Sequence, residues 1–303
     1  MEDELKKRLW AIGGGKGGVG KSITTVMLGA MLARLGKKVL LVDADLGGSN
    51  LHTFLGIRYP AHTLADFIHR KVEDIDHVIM DTRIKNLTLI CGADDILGLA
   101  NPKYTQKMRI FNQLKKIKAD MILLDLGAGT SFTTIDFFLY APNKIIVLSP
   151  VITSLQNAYG FIKSSLYRGI NRLFSNDPQC LDLVNRGMGL VEVDRIESID
   201  ELKSAVRSIG EEQHNKLSGY LDEFRVNLIV NNVKNGNETN IGCILQSVAN
   251  NYLSLNPGYL GHINFDPMLD KHINEMSAFS SNCGTGISGS CIYDIANKII
   301  KQT

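Results

Sequence analysis

Short apolar runs recur along the chain, separated by longer stretches in which apolar positions return with helical spacing. The runs are "LWAIG" at 9–13, "KVLLVDA" at 38–44, "LTLIC" at 87–91, "DMILLDL" at 120–126, "KIIVLS" at 144–149, "VNLIVN" at 226–231 and "YLGHINF" at 259–265. Several are apolar throughout and rich in Val, Ile and Leu, as strands are when helices cover both faces of a parallel sheet. Between the first two lies "KSITTVMLGAMLARLG", a helix that opens at a glycine loop and stops at Gly36. Strand, loop, helix, strand is a βαβ unit. The pattern predicts an α/β fold: a doubly wound, mostly parallel sheet of about seven strands with helices on both faces.

Residues 165–225 break this rhythm, because no strong strand appears among them. A turn cluster "SNDPQ", a glycine pair in "RGMGL" and charged helical stretches such as "DELKSAVRSIGEEQHNKLSGYLDEF" predict a mostly helical insertion within one domain spanning 1–303. The tail "CIYDIANKIIKQT" puts Ile292, Ile295, Ala296, Ile299 and Ile300 on one helical face. Without bulky aromatics or dense Lys/Arg it is expected to pack, not to anchor the chain to a membrane.

Composition narrows the class. With 303 residues, 44% hydrophobic and 21% charged, the chain has the make-up of an ordinary globular protein. A net charge of +2 argues for neither nucleic acid nor a membrane surface. No apolar run reaches the ~20 residues of a membrane span, and "MEDELKKRLW" lacks the apolar centre of a signal peptide. The five scattered cysteines, Cys91, Cys180, Cys243, Cys283 and Cys291, suit a reducing cytoplasm. Scattered histidines give no pair at metal-ligand spacing.

The chemistry begins at "GGGKGGVGKS", 13–22. The pattern G-x-x-x-x-G-K-[ST] is met by Gly15, Gly20, Lys21 and Ser22. Glycines let successive backbone N–H groups face phosphate oxygens, and the helix start adds partial positive charge. Lys21 is expected to bridge the β- and γ-phosphates of ATP and Ser22 to give its hydroxyl to Mg²⁺, so Gly15, Lys16, Gly17, Gly18, Val19, Gly20, Lys21 and Ser22 form the nucleotide cradle. Asp43 and Asp45 stand at the end of the second strand and Asp125 at the end of "MILLDL", where α/β sheets place their ligands. Asp125 suits the magnesium shell, with Ser22 and Asp43 beside it.

"GGGKGGVGKS", "VDADLGGSNL" and "LLDLGAG" together resemble the deviant Walker A ATPases, the MinD/ParA family, over about residues 8–163 and 226–300. The family mark is a second loop lysine, matched by Lys16. The resemblance implies a P-loop NTPase fold and an ATP-dependent homodimer. There Lys21 acts in cis and Lys16 reaches across to the partner's phosphates, stabilising transition-state charge as an arginine finger does. It further implies that Asp45 positions the attacking water and that Asn231 and Asp266 meet the adenine. Within the family, "SPVITSLQNAYGFIK" and "LICGADDILGLAN" look most like the FlhG (FleN) branch, which regulates flagellar number and placement. That branch carries an activator motif like DQAxxLR before the first strand, where this chain reads "MEDELKKR".

The implied function is a hydrolase converting ATP to ADP and phosphate as a molecular switch. It would control the position or number of a flagellum, division site or cargo through an unidentified regulatory protein. Its place is cytoplasmic, with peripheral membrane contact at the inner face as a further expectation. Two alternatives share the fold. A nucleoid-binding partition ATPase would use the stripe "KYTQKMRIFNQLKKIK" (103–118), which carries Lys/Arg and no acid, although a solvated helix face is the commoner meaning of such a run. An iron–sulfur or metal carrier would need a close cysteine pair near the C-terminus, whereas Cys283 and Cys291 stand apart.

Overall fold

A computed structural model describes residues 8–92, 102–191, 194–269 and 286–302. Numbering only helices of more than two turns, its elements run β1 (Leu9–Gly13), α1 (Lys21–Arg34), β2 (Val39–Asp43), β3 (Ile79–Asp81), β4 (Leu87–Ile90), α2 (Tyr104–Leu114), β5 (Met121–Asp125), α3 (Phe132–Tyr140) and β6 (Asn143–Leu148). Then come α4 (Ile152–Leu173), α5 (Pro178–Met188), α6 (Ile199–Ile209), α7 (Glu211–Glu223), β7 (Asn227–Val233), α8 (Asn240–Leu253), β8 (Gly258–Asn264) and α9 (Gly286–Ile300).

The strands form one eight-stranded sheet in the order β3-β4-β2-β5-β1-β6-β7-β8. Every neighbouring pair is parallel except β3 with β4, which is antiparallel. The doubly wound α/β fold is as the apolar runs predict, with one strand more than the seven expected. The extra strand, β3, is a short edge strand of partly exposed residues, so it lacks the apolar run that marks a buried strand.

Successive side chains of a strand point to opposite faces, and the core divides accordingly. Ala11, Leu124, Ile146 and Leu228 face the side covered by α2, α3, α4 and the helices that follow them. Trp10, Ile12, Leu123, Ile145 and Ile229 face α1 and α9. α1 is buried along most of its length, and its end is set by Gly36 at φ 89°, a left-handed conformation that closes the helix with Lys37 N–H donating to Leu32 O.

The stretch 165–225 holds the last turns of α4 and all of α5, α6 and α7. Its helices start on local signals: Asp177 Oδ1 accepts from Cys180 N–H with Pro178 in the first turn, and Ser198 Oγ accepts from Glu201 N–H. Val184, Leu202, Val206 and Leu217 are wholly buried and belong to the same apolar cluster as the strands. α4 runs unbroken through residue 165, so no structural break marks the expected start of the insertion.

Candidate functional site

β1 lies between β5 and β6, and the glycine loop leaves its C-terminal end. Close approach explains two of the loop's glycines. A Cβ on Gly14 would lie 2.8 Å from Val147 O, and one on Gly15 would lie 1.9 Å from Asn157 O. The loop is thus threaded between β6 and α4. Gly18 and Gly20 have φ of 77° and 89°, values costly for any other residue. No side chain caps the start of α1, which leaves its first N–H groups for an anion.

Lys21 is buried, and its Nζ donates to the carbonyl of Lys16 at 3.3 Å. Burial pushes its amine down, while the charges of Asp125 and Asp45 pull it back up. Lys16 stands with an exposed side chain on the same loop.

Asp43 and Asp125 face each other across the β2–β5 pairing and are both buried. Asp43 Oδ2 accepts from Ser49 Oγ (2.7 Å), Asn50 N–H (2.9 Å) and Leu51 N–H (3.0 Å), and so fixes the loop that follows β2. Burial pushes its carboxyl up against those hydrogen bonds. Asp125 is pushed up to about 7 by burial and then by the charge of Asp43, despite hydrogen bonds from Ser22 and Thr25. Thr25 Oγ1 is 3.0 Å from Asp125 Oδ1. Two adjacent buried carboxylates, one of them (Asp125) hydrogen-bonded to the serine of the loop, are a set of oxygen ligands that fits Mg²⁺. Among the described residues no three His, Cys, Asp or Glu side chains gather to hold a metal by themselves.

Asp45 is half-buried beside them. Its Oδ1 accepts from Gly47 N–H at 3.3 Å, and a Cβ on Gly127 would come within 2.9 Å of that oxygen. The loops after β2 and β5 therefore hold this carboxylate over the same strand ends. Asn231 and Asp266 are placed differently. Asn231 Nδ2 donates to Val19 O at 3.0 Å beneath Gly20, so it braces the phosphate loop from β7. Asp266 Oδ2 accepts from Ser288 Oγ at 3.0 Å and Oδ1 from Met268 N–H at 3.1 Å, holding the start of α9. The ends of β7 and β8 also border a cavity of about 360 Å³ lined by Val233, Asn235, His262 and Phe265.

Sequence reasoning missed Ser49, Thr25 and Asn157. Thr25 had a signal, one helical turn beyond Lys21; the other two depend on contacts between distant segments. Of the basic stretch 103–118, Lys107, Arg109 and Lys115 have partners within the fold, while Lys103, Lys116 and Lys118 are exposed. Lys107 Nζ pairs with Asp136 at 2.7 Å, Arg109 donates to Phe67 O and Glu73 O, and Lys115 stands over the Tyr140 ring. Residues 93–101 of the "LICGADDILGLAN" match and Cys283 lie outside the described residues.

A glycine loop at the central strand, a lysine and a serine opening its helix, and carboxylates at the ends of β5 and β2 together define a phosphate-loop nucleotide-binding protein. The chain belongs to the CobQ/CobB/MinD/ParA nucleotide-binding domain family, whose profile matches residues 10–278, and within it to the MinD/ParA group near FlhG. It is 32% identical over 154 residues to the antiactivator FleN of Pseudomonas aeruginosa, covering 50% of this chain and 54% of that one. With the septum site-determining protein MinD of Synechocystis it shares 34% over 152 residues, covering 50% and 56%. The chain thus spans about half the length of the curated relatives it matches. Among solved structures, the cell division ATPase MinD of Pyrococcus furiosus superposes with a TM-score of 0.65 at 20% identity, covering 98% of this chain and 100% of that one. MinD of Pyrococcus horikoshii, complexed with Mg-ADP, gives 0.65 at 21%, covering 97% and 96%. At that identity the likeness is one of fold.

Proposed function

We propose that the protein is an ATP-dependent dimerising switch of the MinD/ParA type. It binds Mg·ATP in the loop 13–22, pairs with a second copy across the nucleotide face and hydrolyses ATP to ADP and phosphate. The observation that carries this reading is the division of labour between the loop lysines: Lys21 is buried and held by the Lys16 carbonyl, while the Lys16 ammonium is exposed. A cation held that way is of little use to its own loop and is available to another subunit. Phe132, Val151 and Ile152, large apolar residues exposed just after the neighbouring strands β5 and β6, offer apolar surface for such a partner.

Within this reading Lys21 leaves the Lys16 carbonyl for the β- and γ-phosphates. Ser22, Asp43 and Asp125 hold Mg²⁺, which when bound supplies positive charge to the phosphate oxygens. Asp45, steadied by Gly47 N–H and Gly127, orients the attacking water. Asn231 keeps the loop in register from the adenine side, and Asp266 fixes the neighbouring start of α9. The switch serves to position or count a cellular structure (a flagellum, division site or cargo) through a regulatory protein. It acts in the cytoplasm and peripherally at the inner face of the membrane. No described helix is long and apolar enough to cross a membrane. The nucleoid alternative draws less support, since Lys107 is buried against Asp136 and Arg109 is tied to Phe67 O, which leaves Lys103, Lys116 and Lys118 as the exposed cations of the stripe.

Phosphate release and light scattering with and without Mg·ATP test the proposal together. Phosphate production with ATP-dependent doubling of mass is expected. A protein that stays monomeric and releases no phosphate, with or without its regulatory partner, removes the switch reading.

A further inference from the structure

At the end of the sheet opposite the phosphate loop, a cavity of about 610 Å³ opens between the first residues of β6 and the end of α7, within the size range of small-molecule sites. Lys144, the second residue of β6, lines it and is only 5% exposed. Its Nζ donates to Ala141 O at 2.7 Å and Pro142 O at 3.4 Å and stands 5.4 Å from the centre of the Phe224 ring. Among the described residues no carboxylate pairs with it. An ammonium has three N–H donors and carries full charge, so two backbone carbonyls and a ring face leave a buried cation without a counter-ion.

The rest of the lining says what that counter-ion brings with it. Leu139, Tyr220 and Phe224 provide apolar walls, while Asp222, Glu223 and Arg225 are exposed residues at the rim. Two acids at the entrance disfavour a dianion such as phosphate, and apolar walls favour a ligand with a hydrocarbon or aromatic body. We infer that this cavity is a binding site for a small organic monocarboxylate, its carboxylate on the Lys144 ammonium and its apolar body against Leu139, Tyr220 and Phe224. Burial has already pushed the amine down to about 8, as expected of a cation that gains from an anionic partner. The roof belongs to the segment joining α7 to β7, so occupancy couples that segment to the sheet. None of these residues belongs to the nucleotide site, and the inference does not depend on the proposed switch.

Octanoate is the probe, with 1-octanol as its uncharged counterpart, each titrated calorimetrically into the full chain. Octanoate is expected to bind one per chain with a Kd of about 1 mM or tighter, and octanol at least about tenfold more weakly. Lys144→Met, which keeps the apolar stem, is expected to lose at least about tenfold in octanoate affinity while ATP binding is unchanged; Lys144→Arg, which keeps the charge, is expected to retain most of it. No saturable octanoate binding to the parent protein overturns the inference. So does equal affinity for octanoate and octanol, a comparison that needs no variant to fold, and so does a Lys144→Met protein that binds octanoate like the parent.

Discussion

Lys21 Nζ lies 3.3 Å from the carbonyl oxygen of Lys16, so the side chain of one loop lysine is tied to the backbone of the other. The loop is closed on itself before any phosphate arrives, and the exposed Lys16 ammonium has no part in that closure. Lys21→Ala is expected to weaken ATP binding by about 10- to 100-fold or more, measured with a fluorescent nucleotide. Lys16→Ala should keep near-parental affinity yet lose ATP-dependent dimerisation and about 10³-fold or more in turnover. Mixing the two variants should restore part of the activity. A Lys16→Ala protein that dimerises and hydrolyses like the parent refutes the role in trans.

Asp45 is held by Gly47 N–H and the face of Gly127, away from the Asp43–Ser49 contact that fixes the loop. Asp45→Ala should therefore bind Mg·ATP with little change and turn over about 10²- to 10⁴-fold more slowly, accumulating as dimer. Unaltered single-turnover rates would move the water-orienting role to another group.

The Asn231 side chain braces Val19 across 212 residues of chain. Asn231→Ala should leave the fold intact and cost roughly tenfold in ATP affinity, the equivalent of one buried hydrogen bond. The loss should be similar for ATP and GTP if bracing is the main role. A loss confined to ATP would favour direct reading of the adenine.

Asp136 joins three helices: it pairs with Lys107 of α2 at 2.7 Å and with Arg168 of α4 at 2.5 Å, and it also contacts Arg172. Burial pushes its carboxyl up, but the hydrogen bonds from Arg168 and Lys107 and the Arg172 charge outweigh it and hold the group below the usual 3.8. A depressed carboxyl contributes stability above its unfolded value, and that contribution is lost as pH falls through the folded value. Asp136→Asn leaves buried Lys107 unpaired, so urea unfolding at neutral pH should show a loss of about 3–5 kcal/mol. The gap between parent and variant should narrow below pH 3.8.

Lys144 gives the opposite dependence. Burial lowers its amine from 10.5 to about 8, so between those values the unfolded chain binds a proton that the folded chain does not. Stability therefore rises with pH across that window and is diminished below it. Replacement by Met should flatten the rise and stabilise the protein at neutral pH on the order of 1–3 kcal/mol. Parallel stability curves for parent and variant from pH 7 to 11 would contradict the assignment.

Where local pattern determined structure, the sequence was legible. Buried strands such as Met121–Asp125 are apolar throughout, and the loop 13–22 carries its chemistry in consecutive residues. What was hidden depends on pairing at a distance. The exposed three-residue edge strand Ile79–Asp81 takes its conformation from β4, and its own composition gives no sign of it. The basic run 103–118 reads as one surface stripe, yet Lys107 is buried, because its partner Asp136 lies 29 residues beyond it and reaches it only through helix packing. The expectation of Asp266 beside the adenine comes from the family resemblance alone, and nothing in the local sequence shows that its oxygens accept from Ser288, 22 residues on, and from Met268.

The contact of Gly15 with Asn157 has a mechanical consequence. With room for no side chain between them, the phosphate loop and the early turns of α4 cannot slide past each other. Beyond Asn157, α4 runs on without a break to Leu173, and a short turn then leads into α5 at Pro178; that arm is about 24 Å long at the usual helical rise. A small tilt of the loop on gaining or losing a phosphate would therefore be felt along that arm as far as α5–α7, which share one apolar cluster with the sheet and so would have to repack with it instead of moving alone.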